Sequence, residues 1–212
     1  MAGLPGAPFA YPIVDTGGLR GRDPAFVVDT LARAGARLIQ LRVKGLADRP
    51  WLAMARAARA AAHASGALLV VNDRADIARI VGADGLHVGQ DDLTGTDARS
   101  VVGPGVLLGV STHHLGQLAA AAAEPVDYVA IGPVFPTRTK ENPDPVVGLE
   151  MVRRARAATN RPLVAIGGIT RANARSVVEA GADGVAVISE LMTAGDPGRA
   201  FRALAAALQS RR

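Results

Sequence analysis

Lys44 and Lys140 are the only lysines among 24 basic residues, and each stands where a short apolar run gives way to polar sequence. In a chain whose compositional bias writes Arg at surface positions, an ammonium marks a place where a compact, mobile point charge serves better than a planar fork. Phosphate oxygens are such a place. Lys44 closes the segment Gln40-Leu41-Arg42-Val43-Lys44. Strand alternation sends Gln40, Arg42 and Lys44 to one side, where two cations and an amide converge without an adjacent carboxylate. Cations withdrawn from water without a partner are costly, so the segment points to an anionic ligand carrying more than one negative charge.

Carboxylates follow on the next two apolar runs, which end in Asn72-Asp73 and in His87-Val88-Gly89-Gln90-Asp91-Asp92. Two oxygen donors on neighbouring strands suit Mg²⁺, which takes one or two carboxylates and completes its octahedron with water and substrate phosphates. Asp73 and Asp92 also precede helical segments, so helix N-capping is the competing role for each. His87 reads as a packed imidazole. The adjacent His113 and His114 cannot both face one site, and no His-x-x-x-His zinc spacing exists.

A fifth run ends at Ser111, and a sixth passes through Gly132-Pro133 into a loop reaching Gly148 with four prolines. The hydroxyls of Thr137 and Thr139 and the ammonium of Lys140 within it read as phosphate contacts, and its length suits a cover over the substrate. Gly167-Gly168 and Ile188-Ser189 close the last two runs, where backbone amides freed by glycine and a short helix N-terminus form a phosphate site. Two anionic sites, with Ser111 and Lys140 between them, suit the joining of a pyrophosphate-activated molecule to a phosphate-bearing acceptor.

The elements that must position these residues are eight β-rich runs alternating with Ala-rich helical stretches: Ala10–Asp15, Leu38–Arg42, Leu68–Asn72, Gly85–Val88, Leu107–Ser111, Tyr128–Val134, Leu163–Gly167 and Gly184–Ser189. That alternation predicts one compact α/β domain over 1–212, a (βα)8 barrel with its chemistry at the carboxyl ends of the strands, a short extension at 1–8 and a tail at 211–212. Gly82-Ala83-Asp84-Gly85 before the fourth strand, Gly181-Ala182-Asp183-Gly184 before the eighth and Gly35-Ala36-Arg37 before the second repeat one entrance motif. These read as helix caps and turns into the barrel bottom. A doubly wound sheet is disfavoured because no phosphate-binding glycine fingerprint follows an early strand.

A length of 212 residues at 49% hydrophobic content supports one substantial core. The absence of cysteine excludes disulfides, thiolate catalysis and cysteine metal sites and fits a cytoplasmic location. The formal charge of +5 comes from arginines on solvated faces such as Arg153, Arg154 and Arg156, and with 3% aromatics there is no stacking platform for nucleic acid. No apolar run reaches the roughly 18 residues of a membrane span. The partners expected are therefore small phosphorylated molecules, and a homo-oligomer is compatible with this composition.

In order along the chain, Gln40-Leu41-Arg42-x-Lys44, Asn72-Asp73-Arg74, Gly85-Leu86-His87-Val88-Gly89-Gln90-Asp91-Asp92, Gly109-Val110-Ser111, the stretch from Gly132 to Lys140, Gly167-Gly168-Ile169 and Ile188-Ser189 resemble the motifs of the thiamine phosphate synthase family. The resemblance implies condensation of hydroxymethylpyrimidine diphosphate with hydroxyethylthiazole phosphate, or its carboxylated form, with release of pyrophosphate by a dissociative route. It implies that Gln40, Leu41, Arg42, Val43, Lys44, Asn72, Ser111 and Lys140 bind the pyrimidine diphosphate, and that Arg42, Lys44, Ser111 and Lys140 are catalytic. By the same resemblance Asp73 and Asp92 hold Mg²⁺, and Thr137, Arg138, Thr139, Gly168, Ile188 and Ser189 bind the thiazole phosphate. Val43 and Glu190 depart from the family's usual choices. The related thiazole tautomerase does not require the Arg42, Lys44, Asp73 and Asp92 set, and a non-catalytic phosphate sensor on the same barrel is the more remote alternative.

Overall fold

The computed structural model describes residues 3–137 and 144–209. Eight parallel strands close into a barrel in sequence order, so the (βα)8 architecture expected from the sequence is the one observed. The strands are β1 (Phe9–Asp15), β2 (Leu38–Arg42), β3 (Leu68–Asn72), β4 (Gly85–Val88), β5 (Leu107–Thr112), β6 (Tyr128–Ile131), β7 (Leu163–Ile166) and β8 (Gly184–Val187). Between and after them run α1 (Pro24–Arg33), α2 (Asp48–Ala64), α3 (Ala75–Val81), α4 (Gly95–Val102), α5 (Leu115–Ala123), α6 (Gly148–Ala158), α7 (Ala174–Glu179), α8 (Ser189–Met192) and α9 (Pro197–Gln209). No helix among the described residues is long and apolar enough to cross a membrane.

The helices form where an apolar stripe recurs at helical spacing. Trp51, Ala55, Ala58 and Ala62 make one buried face of α2, and Phe201, Leu204 and Leu208 do the same for α9. Those faces pack on the outward side chains of the strands, such as Ile39, Leu41, Leu69 and Val71, in one continuous apolar layer. Strands covered on both sides must be apolar on both, which is why β3 reads Leu-Leu-Val-Val before its terminal Asn72.

The barrel interior is a second, separate core of Phe9, Tyr11, Ile13, Leu38, Val70, Leu107, Tyr128, Val164 and Ala186. Glycines make room for its rings: a Cβ on Gly109 would lie 2.0 Å from Tyr128 Cζ, and one on Gly184 would lie 2.5 Å from Phe9 Cζ. Along β2 the inward side chains change from Leu38 to Gln40 to Arg42, and along β3 from Val70 to Asn72. The interior thus turns polar toward the carboxyl ends of the strands.

At the opposite end, three aspartates tie the sheet from below. Asp84 accepts from Leu69 N (2.8 Å), Asp127 from Leu108 N (2.7 Å) and Asp183 from Leu163 N (2.8 Å). Each is also paired with a base from a helix, respectively His63, Arg99 and Arg156. The structural role read for Asp84 and Asp183 is therefore observed, and Asp127 is a third member that lacks the flanking glycines. Gly35, Gly82 and Gly181 all have positive φ, as their helix-ending role requires.

Three strands are shorter than the apolar runs suggest, β7 only by Gly167, whose φ of 100° leaves the extended conformation. β6 ends at Ile131 because Pro133 has no N–H to give, and the chain beyond it turns to bond β7, with Val134 N donating to Ile166 O (2.9 Å). β8 ends at Val187 because Ser189 opens α8.

Candidate active site

The polar ends of the strands surround a cavity of about 980 Å³, open mouth included. Its floor is a set of buried side chains contributed by different strands. Gln40 Nε2 donates to Tyr11 Oη (3.0 Å), the Tyr11 and Tyr128 hydroxyls are 3.1 Å apart, His87 Nδ1 lies 2.9 Å from Tyr128 Oη, and His87 Nε2 lies 2.8 Å from Ser111 Oγ. Burial pushes the His87 imidazole down to about 4, against a weaker opposing pull from Asp73, so the ring is neutral near pH 7. Burial likewise pushes both tyrosines upward and keeps them phenolic. The packed-imidazole reading of His87 holds, with the addition that the ring touches Ser111.

On one side of the mouth stand the cations and carboxylates. Arg42 lines the cavity and is ion-paired through Nη1 with Asp15, its register partner across β1 and β2. Lys44 lies beyond the end of β2 and reaches Asp73 Oδ2 at 2.6 Å, with its side chain 57% exposed. The expectation that Gln40, Arg42 and Lys44 converge without an adjacent carboxylate is therefore wrong. Both carboxylates come from neighbouring strands, a relation that inspection of one segment does not reveal. The anionic-ligand reading rests instead on Lys44 and Asp73 lying at an open rim, where water or a ligand can exchange into the pair.

Neither Asp73 nor Asp92 caps a helix. The N-cap of α3 is Arg74 and that of α4 is Thr94, whose hydroxyl accepts from Asp97 N. Asp73 instead adopts φ 64°, a left-handed conformation that Asp tolerates better than most residues, with its amide bonded to His87 O (2.8 Å). That turn brings its carboxyl against Asp92, which accepts from Gly89 N at 2.8 Å. Burial, opposed by the Gly89 amide and reinforced by Asp73, raises the Asp92 carboxyl above the ordinary range. Two carboxyls in mutual contact beside a rim cation fit a divalent ion that takes few protein oxygens. Among the described residues no group of three or more His, Cys, Asp or Glu is arranged to hold a metal, so a zinc-type cage is not what is built here.

The far side of the mouth is glycine-rich. Gly167 and Gly168 have φ of 100° and 61°, and a Cβ on them would lie 2.4 Å from Pro133 and 2.5 Å from Pro136 O. Only glycine allows the β7 loop to lie this close to the loop after β6, and Phe135 N donates to Gly167 O (3.0 Å) to hold them together. Thr137, Gly168, Ile188 and Ser189 all line the cavity. Glu190, in the first turn of α8, is drawn aside to accept from Arg171 N (2.5 Å), so this departure from the family pattern does not place its carboxylate among the cavity lining.

Of the residues singled out in the sequence, Gln40, Arg42, Asn72, Ser111, Thr137, Gly168, Ile188 and Ser189 meet around the cavity. Lys44, Asp73 and Asp92 form an outer rim cluster, while Leu41 and Val43 are buried in the layer between strands and helices. Arg138, Thr139 and Lys140 lie outside the described residues. His113 lines the cavity, with Nδ1 2.7 Å from Gly132 O and Nε2 3.3 Å from Asp144, while His114 caps α5; the two do face different ways. Sequence reasoning missed Tyr11, Asp15, Tyr128 and Asp144. Alternation along Tyr11, Ile13 and Asp15 signals an inward Asp15 at the height of Arg42, whereas nothing local marks Asp144.

A closed parallel barrel with a cation-bearing, glycine-edged cavity at the carboxyl ends of its strands belongs to the class of (βα)8 enzymes that act on phosphorylated molecules. Residues 10–191 match the sequence profile described as thiamine monophosphate synthase. The chain is 49% identical over 190 residues to the thiamine-phosphate synthase of Koribacter versatilis, covering 87% of this chain and 89% of that one. It is 47% identical over 178 residues to that of Laribacter hongkongensis, covering 84% of each. The solved thiamine phosphate pyrophosphorylase of Pyrococcus furiosus superposes with a TM-score of 0.85 at 33% identity over 95% of both chains. The chain belongs to the thiamine monophosphate synthase family.

Proposed function

We propose that the chain is a thiamine-phosphate synthase, joining hydroxymethylpyrimidine diphosphate to hydroxyethylthiazole phosphate, or its carboxylated form, with release of pyrophosphate. The observation that supports this reading is the placement of two groups of residues suited to anions on opposite sides of one cavity mouth, Arg42 with the Lys44, Asp73 and Asp92 cluster on one side and Gly168 with Ser189 on the other. Gln40, Asn72 and Ser111 hold the pyrimidine on the floor between them, Leu41 and Val43 contribute only through the backbone of that segment because their side chains face the helices, and Lys140 takes the diphosphate. Thr137, Arg138, Thr139, Gly168, Ile188 and Ser189 take the thiazole phosphate.

In the reaction the pyrimidine methylene carbon loses its bond to the diphosphate oxygen, which leaves with the electron pair, and the thiazole nitrogen supplies the pair for the new C–N bond. Arg42 and Lys44 face the oxygens on which charge accumulates as that bond breaks. Ile13, Ala130, Val164 and Ala186 line the cavity with apolar surface and exclude water that would otherwise capture the cation. Holding both substrates in one cavity supplies the remaining advantage by fixing their approach. Asp73 and Asp92 would hold Mg²⁺, which supplies neutralising charge to the diphosphate. A thiazole tautomerase has no use for the Arg42, Lys44, Asp73 and Asp92 set.

Incubation with both substrates, with and without EDTA, followed by assay of thiamine phosphate and pyrophosphate, tests the reading. Equimolar formation of both, lost with EDTA and restored by Mg²⁺, is the expected result. Isomerisation of the thiazole phosphate without pyrophosphate release would overturn it.

A further inference from the structure

The buried polar side chains beneath the cavity form one unbranched sequence of hydrogen bonds from Gln40 through Tyr11, Tyr128 and His87 to Ser111. Its members come from β1, β2, β4, β5 and β6, and Tyr11 and Tyr128 are 1% and 0% exposed. Such a chain has a direction, because each hydroxyl donates one proton and a neutral imidazole carries one N–H. The Gln40 amide nitrogen only donates, so Tyr11 Oη accepts from it and sends its own proton to Tyr128. A Tyr11 proton aimed elsewhere would forfeit a buried hydrogen bond. Tyr128 therefore donates to His87 Nδ1. The single imidazole proton then resides on Nε2, where it is given to Ser111 Oγ. Ser111, partly exposed to the cavity, keeps its own hydroxyl proton free.

We propose that Tyr11, Tyr128 and His87 are positioning residues that commit Ser111 Oγ to act as a hydrogen-bond donor toward an acceptor atom of the pyrimidine diphosphate, with the Gln40 carboxamide setting the direction. The substrate named rests on the function proposed above; the direction of the chain does not. Run the other way, with the Gln40 carboxamide turned over, the Ser111 proton would be given to His87 Nε2. The hydroxyl would then show only lone pairs to the cavity and would repel a ring nitrogen or a phosphate oxygen.

The tautomer of His87 reads the direction without any substrate. In protein labelled with ¹⁵N-histidine, with the His87 signals assigned by their loss in His87→Gln, long-range ¹H–¹⁵N correlation at about neutral pH should show the Nε2–H tautomer. Tyr128→Phe removes the donor to Nδ1 and leaves the Gln40–Tyr11 bond in place, so an Nδ1–H population should appear. In turnover, Tyr128→Phe should raise KM for the pyrimidine diphosphate by about fivefold, the scale of one misdirected hydrogen bond, and leave KM for the thiazole phosphate unchanged. On a Ser111→Ala background the same substitution should add nothing.

An Nδ1–H tautomer in the unsubstituted protein overturns the proposal, and so does a Tyr128→Phe penalty that persists in Ser111→Ala. If Tyr128→Phe does not fold, the tautomer of the unsubstituted protein still decides. An Nε2–H tautomer in a protein that makes no thiamine phosphate would sink the function while the direction stands; turnover with Nδ1–H would do the reverse.

Discussion

The two ends of this barrel use aspartate in opposite ways. At the bottom, Asp84, Asp127 and Asp183 each accept from a strand amide and from a helix-borne base, and so spend their oxygens on architecture. At the top, Asp73 and Asp92 crowd one another, with Lys44 beside them at an exposed rim. The first arrangement is satisfied by the fold. The second leaves two carboxyls close together at an exposed rim, an arrangement suited to the ion and anionic substrate proposed for it. Between the ends, a neutral histidine and two phenols are held in a nearly water-free interior.

The largest expected effect tests that interior. The unfolded chain takes up a proton at the ordinary histidine value of 6.5, while folded His87 resists until about 4. Stability should be full above about pH 6.5, fall as the pH drops, and lose about 3 kcal/mol by pH 4 from this group alone. Urea unfolding of the protein and of His87→Gln across this range checks it; a slope that survives the substitution assigns the loss elsewhere.

Next in size is the separation of the two anion edges at the top. Ser189→Asp should raise KM for the thiazole phosphate about 30-fold and spare pyrophosphate release from the pyrimidine substrate, since a charged contact contributes about 2 kcal/mol. Arg42→Ala should do the opposite. Substrate titration with single-turnover detection of pyrophosphate and thiamine phosphate distinguishes them, and equal impairment toward both substrates in folded variants refutes separate edges.

At the bottom, Asp183→Ala should cost about 2 kcal/mol of stability by stranding Leu163 N and Arg156, with both KM values unchanged. Denaturation midpoints and steady-state kinetics check the pair of effects, and altered kinetics at full stability would erase the contrast between the ends. Asp73→Asn is the mildest for the fold. It should leave the unfolding midpoint within about 0.5 kcal/mol, because its Lys44 partner is exposed, while shifting the Mg²⁺ requirement upward by about tenfold. An unchanged magnesium titration would remove Asp73 from the metal site.

The barrel, its strand order and most of the rim were legible in the sequence because they depend on local regularities. A period of two assigns Gln40 and Arg42 to one face, alternation of strands with helical stretches dictates parallel pairing, and a residue at a strand's end must stand at the mouth. Gly82, Gly181 and their following aspartates were readable for the same reason, since helix caps are local.

What only the tertiary structure decided are the relations between strands. Asp15 neutralises Arg42 because β1 pairs with β2 in a register that sets the two opposite each other, and Asp73 meets Asp92 because a left-handed turn follows β3. Tyr11 reaches Tyr128 across 117 residues of chain because both rings fill one interior, with Gly109 leaving the space. Periodicity tells a side chain which face to take. Which partners it finds there depends on the register and curvature of a closed sheet, and those are properties of all eight strands together.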